Sequence, residues 1–199
     1  MNRDNPYRKA DQRTIDAKAR GFPARSVFKL EEIDQRVRLL RQGQRVLDLG
    51  SAPGSWSMYA SQRIGVQGRI LSVDVALVDH VLGANVTFLQ GDALSLDNEA
   101  LRMFAPYDVV LSDMAPSTTG NPEADAARSA ELYVRAVAIA EALLKPGGAF
   151  VGKLFMGGEF EAARTRTREV FEEVRVIRPR GTRTCSVEVF FVAMRRRPA

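Results

Sequence analysis

Lysine is scarce in this chain and arginine is not: five lysines stand against 24 arginines. Arginine stays protonated at any useful pH, whereas a buried lysine can give up its proton. A lysine kept in so arginine-rich a chain marks work that arginine cannot do. Lys153 is the clearest case, because Val151-Gly-Lys-Leu-Phe155 is otherwise an apolar strand-like run, and an ammonium there must be paired or functional. Glu188 poses the same question inside Val187-Glu-Val-Phe-Phe-Val192. Its plain alternative is an exposed place on an edge strand. Lys29 lies beside Phe28 and Leu30 and by itself reads as part of a solvated helix face. Lys145 is accounted for by the C-terminus of a helix.

A second group of chemistry-bearing residues surrounds Val46-Leu-Asp-Leu-Gly-Ser-Ala-Pro-Gly-Ser-Trp56. An apolar run, a tight Gly loop and a helical segment in succession form the place where open α/β sheets bind nucleotide-like ligands. The loop lacks both the G-x-G-x-x-G spacing and the G-x-x-x-x-G-K-[ST] of a phosphate cradle. A nucleoside-like ligand without a phosphate chain is therefore expected, and S-adenosylmethionine fits. Asp48, Asp74, Asp92 and Asp113 each fall at or near the end of a predicted strand. Asp74, roughly twenty residues beyond the Gly loop, stands where dinucleotide folds hydrogen-bond ribose hydroxyls. Asp92 is placed to accept from an adenine amino group. Aspartate also ends strands and caps helices without any ligand, but three on successive strands after such a loop favour ligand binding.

The elements that must carry these residues alternate. Val27, Leu30, Ile33, Val37 and Leu40 recur at helical steps, predicting an amphipathic helix from Ser26 to Leu40 that Gly43 ends. Strands are predicted at Arg45–Leu49, Arg69–Val73, Val86–Leu89, Tyr107–Leu111, Ala149–Phe155, Val174–Ile177 and Val187–Ala193. Helices are predicted at Trp56–Ile64, Leu96–Phe104, Ala124–Leu144 (stopped by Lys145-Pro-Gly-Gly148) and Phe160–Phe171. This alternation predicts an α/β fold, a mainly parallel sheet with helices on both faces and ligands at the carboxyl ends of the strands. Residues 1–25 read as a basic N-terminal arm or irregular cover, and 26–199 as a single domain.

Composition narrows the function classes. At 199 residues and 45% hydrophobic the chain can bury a full core. It has no run of 18 apolar residues and no signal-like start, so no membrane association and a cytoplasmic location are expected. Cys185 is the sole cysteine and His80 the sole histidine, which removes a disulfide framework and a cysteine-rich metal site; no metal is expected. Residues 1–41 hold 11 Lys/Arg against 6 Asp/Glu, residues 42–163 hold 8 against 14, and residues 164–199 hold 10 against 4. Two basic ends flank an acidic middle. If they meet in space they form one positive surface for nucleic-acid phosphates.

Five segments occur in one order: Ser26-Val-Phe-Lys-Leu-Glu-Glu-Ile33, Asp48-Leu-Gly-Ser-Ala-Pro-Gly-Ser-Trp56, Leu111-Ser-Asp-Met-Ala-Pro116, Val151-Gly-Lys-Leu-Phe155 and Ser186-Val-Glu-Val-Phe190. Together they closely resemble the FtsJ/RrmJ family of ribosomal RNA 2′-O-ribose methyltransferases, from about Ala19 to Met194. The resemblance implies a Rossmann-like class I methyltransferase sheet of seven strands, the last antiparallel. It implies a catalytic tetrad of Lys29, Asp113, Lys153 and Glu188, and S-adenosylmethionine held against Gly50, Gly54, Trp56, Asp74, Asp92 and Asp113. It also implies a uridine of large-subunit ribosomal RNA, or the assembled large subunit, as partner, with no DNA and a monomeric enzyme. The chain departs from the family's usual Gly-Gly-Trp at Ser55, and from its Ser-Arg-Glu-x-Tyr at Val187 and Phe190.

In that reading Lys153 is the general base for a ribose hydroxyl, Asp113 orients it, and Lys29 with Glu188 positions the ribose. The rivals are an enzyme acting on tRNA or an mRNA cap, a non-catalytic RNA-binding relative, and a nicotinamide oxidoreductase, which the missing G-x-G-x-x-G disfavours.

Overall fold

The computed structural model describes residues 12–180, 182 and 186–198. Helices α1 (Gln12–Ala19) and α2 (Val27–Val37) precede β1 (Arg45–Leu49), α3 (Ser55–Ile64), β2 (Arg69–Asp74), β3 (Val86–Gln90) and β4 (Tyr107–Ser112). Then follow α4 (Pro122–Leu143), β5 (Leu144–Phe155), α5 (Phe160–Val170), β6 (Phe171–Ile177) and β7 (Glu188–Arg196). The strands form one sheet in the order β3-β2-β1-β4-β5-β7-β6. Pairing is parallel from β3 through β5, whereas β7 runs antiparallel to both of its neighbours.

The period-two alternation of a strand divides the core between the two faces of this sheet. Leu47, Leu71, Val110, Phe150 and Phe191 point to one side, where Tyr133, Ala136, Val137 and Ala140 of α4 cover them. Val46, Ile70, Val109, Val151 and Phe190 point to the other, beneath Leu30 and Ile33 of α2 and Trp56, Ala60 and Ile64 of α3. A buried aspartate ties that second layer together. Asp34, 2% exposed, accepts from Tyr59 Oη (2.9 Å), Arg63 Nε (3.0 Å) and the Leu40 amide (2.8 Å).

Several elements differ from the sequence expectation. The predicted helix at Leu96–Phe104 is a series of turns. Asp92 accepts from the Leu94 amide and Asp97 from the Ala100 amide, local bonds that compete with helical ones. Helix α2 stops at Val37, where Arg38 takes a left-handed conformation (φ 53°), well before Gly43. The segment read as an irregular cover contains α1, whose Ala17 is buried together with nearby Phe22 in the α2–α3 layer. Glu188 lies on a strand between two others, not on an edge. Cys185 lies outside the described residues. Among the described residues, no helix is long and apolar enough to cross a membrane, and no three His, Cys, Asp or Glu cluster as metal ligands.

Candidate active site

The carboxyl ends of β1, β2 and β4 and the Gly loop enclose a cavity of about 510 Å³. Gly50 bends the chain out of β1 at φ +74°, and a Cβ there would sit 2.7 Å from the Met114 amide nitrogen and Cγ. Only glycine satisfies both the dihedral and this close approach. The amides of Gly50 and Ser51 donate to the Val73 carbonyl (2.8 and 3.2 Å), fastening the loop to the end of β2. Asp74 completes the attachment: Oδ2 accepts from the Ala52 amide and Oδ1 from the Ala76 amide, both at 2.8 Å.

Of the cofactor residues implied at the sequence level, Gly50, Asp74, Asp92 and Asp113 line this cavity. Gly54 and Trp56 do not. Gly54 (φ +109°) packs against Leu82 and Val78, where a Cβ would collide. Trp56 is 2% exposed; its Nε1 donates to the Ser26 carbonyl (3.0 Å) and its ring lies 5.7 Å from that of Phe190. The indole holds α3 to the start of α2.

Lys29, Asp113, Lys153 and Glu188 come together as two ion pairs. The Lys153 ammonium, 8% exposed, lies 2.9 Å from Asp113 Oδ1 and donates to the Asp113 backbone carbonyl at 2.6 Å. No directed hydrogen bond reaches Oδ1, so the contact with the carboxylate is electrostatic. The Lys29 ammonium lies 2.5 Å from Glu188 Oε1, each side chain 12% exposed, and 5.7 Å from the centroid of the Phe190 ring. Antiparallel β7 makes this possible, because it places its first residue, Glu188, opposite Phe155 at the last residue of β5.

A second cavity of about 570 Å³ adjoins the first. Thr14, Pro23, Thr118, Phe155, Ser186 and Glu188 line it, and it shares Ala24, Arg25 and Lys29 with the first. Sequence reasoning missed two of its supports. One is α1, which brings in Thr14. The other is Asp125, which accepts from the Thr119 amide (2.9 Å), Thr119 Oγ1 (2.9 Å) and the Gly120 amide (3.3 Å), with Arg128 beside it. The backbone amide of Thr119, first of all, holds the Asp125 carboxyl below its ordinary range. An acid in the first turn of α4 reads as favourable to the helix dipole; nothing local in the sequence says that it fastens the loop bearing Thr118.

Beneath the Gly loop, Asp48 is fully buried and its carboxyl is pushed up to about 7. Burial is the main cause; the Ser57 hydroxyl opposes it, while Asp113 and Asp74 add to it.

Among the described residues the basic ends meet only in part: Arg180 shares a groove with Arg13 and Arg36, while other arginines of the C-terminal end lie elsewhere. Arg178 and Arg180 follow the end of β6 on the rim that carries the site, and the Arg180 amide donates to Glu32 Oε2 of α2. Arg195 and Arg196 lie at the opposite rim, where β7 pairs with the start of β6. Arg195 is ion-paired with Glu172 (2.7 Å) and Glu173 (2.5 Å), and Arg196 donates to the Glu141 carbonyl.

Residues 22–196 match the family model for FtsJ-like methyltransferase. The chain is 65% identical over 195 residues to ribosomal RNA large subunit methyltransferase E of Sorangium cellulosum, covering 98% of this chain and 92% of that one. It is 46% identical over 187 residues to the protein of the same name from Oleidesulfovibrio alaskensis, covering 92% and 90%. Among solved structures, a Plasmodium falciparum protein described as a ribosomal RNA methyltransferase superposes with a TM-score of 0.77 at 24% identity, over 88% of this chain and 99% of that one. Aeropyrum pernix fibrillarin, crystallised with natively bound S-adenosyl-L-methionine, superposes with a TM-score of 0.59 at 20% identity, over 78% and 68%. Both share the fold.

Proposed function

The chain belongs to the FtsJ-like methyltransferase family, and from that premise we propose that it transfers the methyl group of S-adenosylmethionine to the 2′-hydroxyl of a ribose, a uridine of large-subunit ribosomal RNA. The observation that carries this reading is the meeting of two cavities at Lys29, with Asp113 and Lys153 on the wall of one and Glu188 on the wall of the other. One holds the donor; the other is large enough for a nucleoside.

The first cavity suits S-adenosylmethionine. Asp74 ends β2 and Asp92 follows β3 by two residues, both at its wall, offering acceptors for ribose hydroxyls and an adenine amino group. Gly50 leaves room that any Cβ would fill. Phosphate-directed glycines and lysines are absent from the loop. When bound, S-adenosylmethionine supplies a methyl group activated on a sulfonium, so no metal or covalent enzyme intermediate is needed.

The chain's own residues have two tasks, alignment and proton removal. Lys29 and Glu188, fixed to each other across the seam, hold the ribose in the second cavity. Lys153 works as the neutral amine: its ammonium first gives a proton to solvent, and Nζ then takes the proton of the ribose hydroxyl as that oxygen accepts the methyl group. Asp113 lies 2.9 Å away to hold the ammonium that results. A general base contributes about 10²–10⁴-fold, and alignment supplies the remainder. The phosphate backbone is gripped by the arginines of the site rim, with one unpaired nucleotide entering the pocket.

The test is incubation with labelled S-adenosylmethionine and total RNA or large ribosomal subunits. Label is expected in large-subunit RNA, at one position resistant to alkaline cleavage. Label in tRNA alone, or on a base, would refute the acceptor assignment.

A further inference from the structure

Asp48 is a buried acid that the reaction above does not use. It stands one residue before the end of β1 and two before Gly50, which lines the donor cavity. Its side chain has 0% exposure. Oδ2 accepts from Ser57 Oγ at 2.5 Å, and that hydroxyl lies 2.6 Å from Ser72 Oγ. Oδ1 is buried without a hydrogen-bond partner. A buried carboxylate ordinarily has a cation or several donors around it; this one has a single hydroxyl.

The groups around it make matters worse. From α3 comes Ser57, from β2 Ser72 and Asp74, and from β4 Asp113. The two neighbouring acids repel its charge. The ammonium of Lys153 is committed to Asp113 and that of Lys29 to Glu188, while Arg25 stands on the wall of the donor cavity. Asp48 does not itself line the donor cavity, but Gly50, two residues on, does.

Resting on the cofactor assignment above, we propose that Asp48 is a positioning residue. It supplies the buried negative charge against which the cationic methyl donor is held, and donor binding expels a proton from its carboxyl. With the carboxyl pushed up to about 7 in the free protein, it is roughly half protonated near neutrality. An opposite charge within about 4–6 Å lowers a carboxyl by about 1–3 units, and a carboxyl set behind the cavity wall, as Asp48 is, belongs at the lower end, about one unit. By linkage, the same factor by which the donor favours the charged acid is the factor by which the charged acid favours the donor. Affinity therefore rises as pH increases through about 7 and falls below it, where a proton must first be displaced. The spent cofactor carries no sulfonium charge, so Asp48 also favours donor over product.

Calorimetry of the intact protein tests this, with S-adenosylmethionine and S-adenosylhomocysteine titrated between pH 6 and 8 in buffers of different ionisation heat. Wild type should release a substantial fraction of a proton at pH 7 and gain about tenfold more donor affinity across that range than Asp48→Asn. The preference for donor over product should shrink about tenfold in the variant. Ser57→Ala removes the one hydrogen bond favouring the anion and should move proton release to higher pH. The carbon-13 resonance of the Asp48 carboxyl in wild type gives a reading independent of any variant. It should titrate near 7 in the free protein and lower when the donor saturates the site. Equal proton release and equal pH slopes in wild type and Asp48→Asn, or a carboxyl resonance unmoved by the donor, would overturn this role and leave the methyltransferase reading standing. Failure of wild type to bind S-adenosylmethionine at any pH would overturn both.

Discussion

Replacing Lys153 separates charge from proton transfer. Lys153→Ala removes the ammonium 2.9 Å from Asp113, and that carboxylate keeps only 16% side-chain exposure. Breaking a buried pair from one side costs about 3–5 kcal/mol, and the remaining exposure of Asp113 puts this case near the lower end, about 3 kcal/mol. The alanine variant thus loses both activity and stability, and its inactivity alone proves little. Lys153→Arg keeps a cation within reach of Asp113 but cannot accept a proton. Its penalty is the fit of a larger head group in a strand with buried neighbours, about 1–3 kcal/mol. Both variants should lose about 10²–10⁴-fold in single-turnover methyl transfer, equivalent to about 3–5 kcal/mol of barrier. Urea denaturation should show the arginine variant the more stable of the two, and calorimetry should find its donor affinity within about threefold of wild type. Transfer by Lys153→Arg at a rate within tenfold of wild type would refute the assignment of Lys153 as the base, because a permanent cation cannot do that work.

Gly50→Ala imposes φ +74° on a residue with a Cβ and drives that carbon into Met114, the neighbour of Asp113. Strain of about 1–3 kcal/mol is expected, read as a lower melting temperature and at least tenfold weaker donor binding. Asp34→Ala leaves the Tyr59 hydroxyl, Arg63 and the Leu40 amide without their shared acceptor. It should cost about 3 kcal/mol in denaturant titrations while sparing transfer at low temperature. Arg180→Glu, on the site rim, should weaken RNA binding and flatten its salt dependence, whereas Arg195→Glu, on the far rim, should change neither by more than about twofold. Equal effects of the two would show that RNA is not gripped by the site rim.

Much of this molecule is written in local pattern. The strand at Arg45–Leu49 is predicted to the residue, because four of its five residues are buried and a glycine follows at once. The predicted α3, β2, β3 and β4 come within one residue of the observed ends. Periodicity located Lys153 and Glu188 as charges in apolar strands, and the structure pairs each of them. What the pattern could not supply was contact between distant segments. Lys29 alone looks like a solvated position, and only the arrival of β7 buries it against Glu188 and Phe190. Trp56 carries the signature of a binding motif but spends its indole nitrogen on the Ser26 carbonyl, a bond between segments 30 residues apart. Charge counts carry no direction: Arg180 joins Arg13 and Arg36 at the site rim, but the antiparallel course of β7 sends Arg195 and Arg196 to the opposite rim.

The placement of β7 also ties the completeness of the site to the end of the chain. It is the last strand in sequence, yet it fills the position between β5 and β6. The Gly loop, Asp113 and Lys153 all precede β7 in sequence, yet the sheet beside β5 is closed only when β7 enters it. Of the four paired side chains at the centre, only Glu188 is supplied by this last strand. A chain clipped before Glu188 would lose the carboxylate that anchors Lys29 together with the strand whose Phe190 and Phe191 fill the two faces of the core.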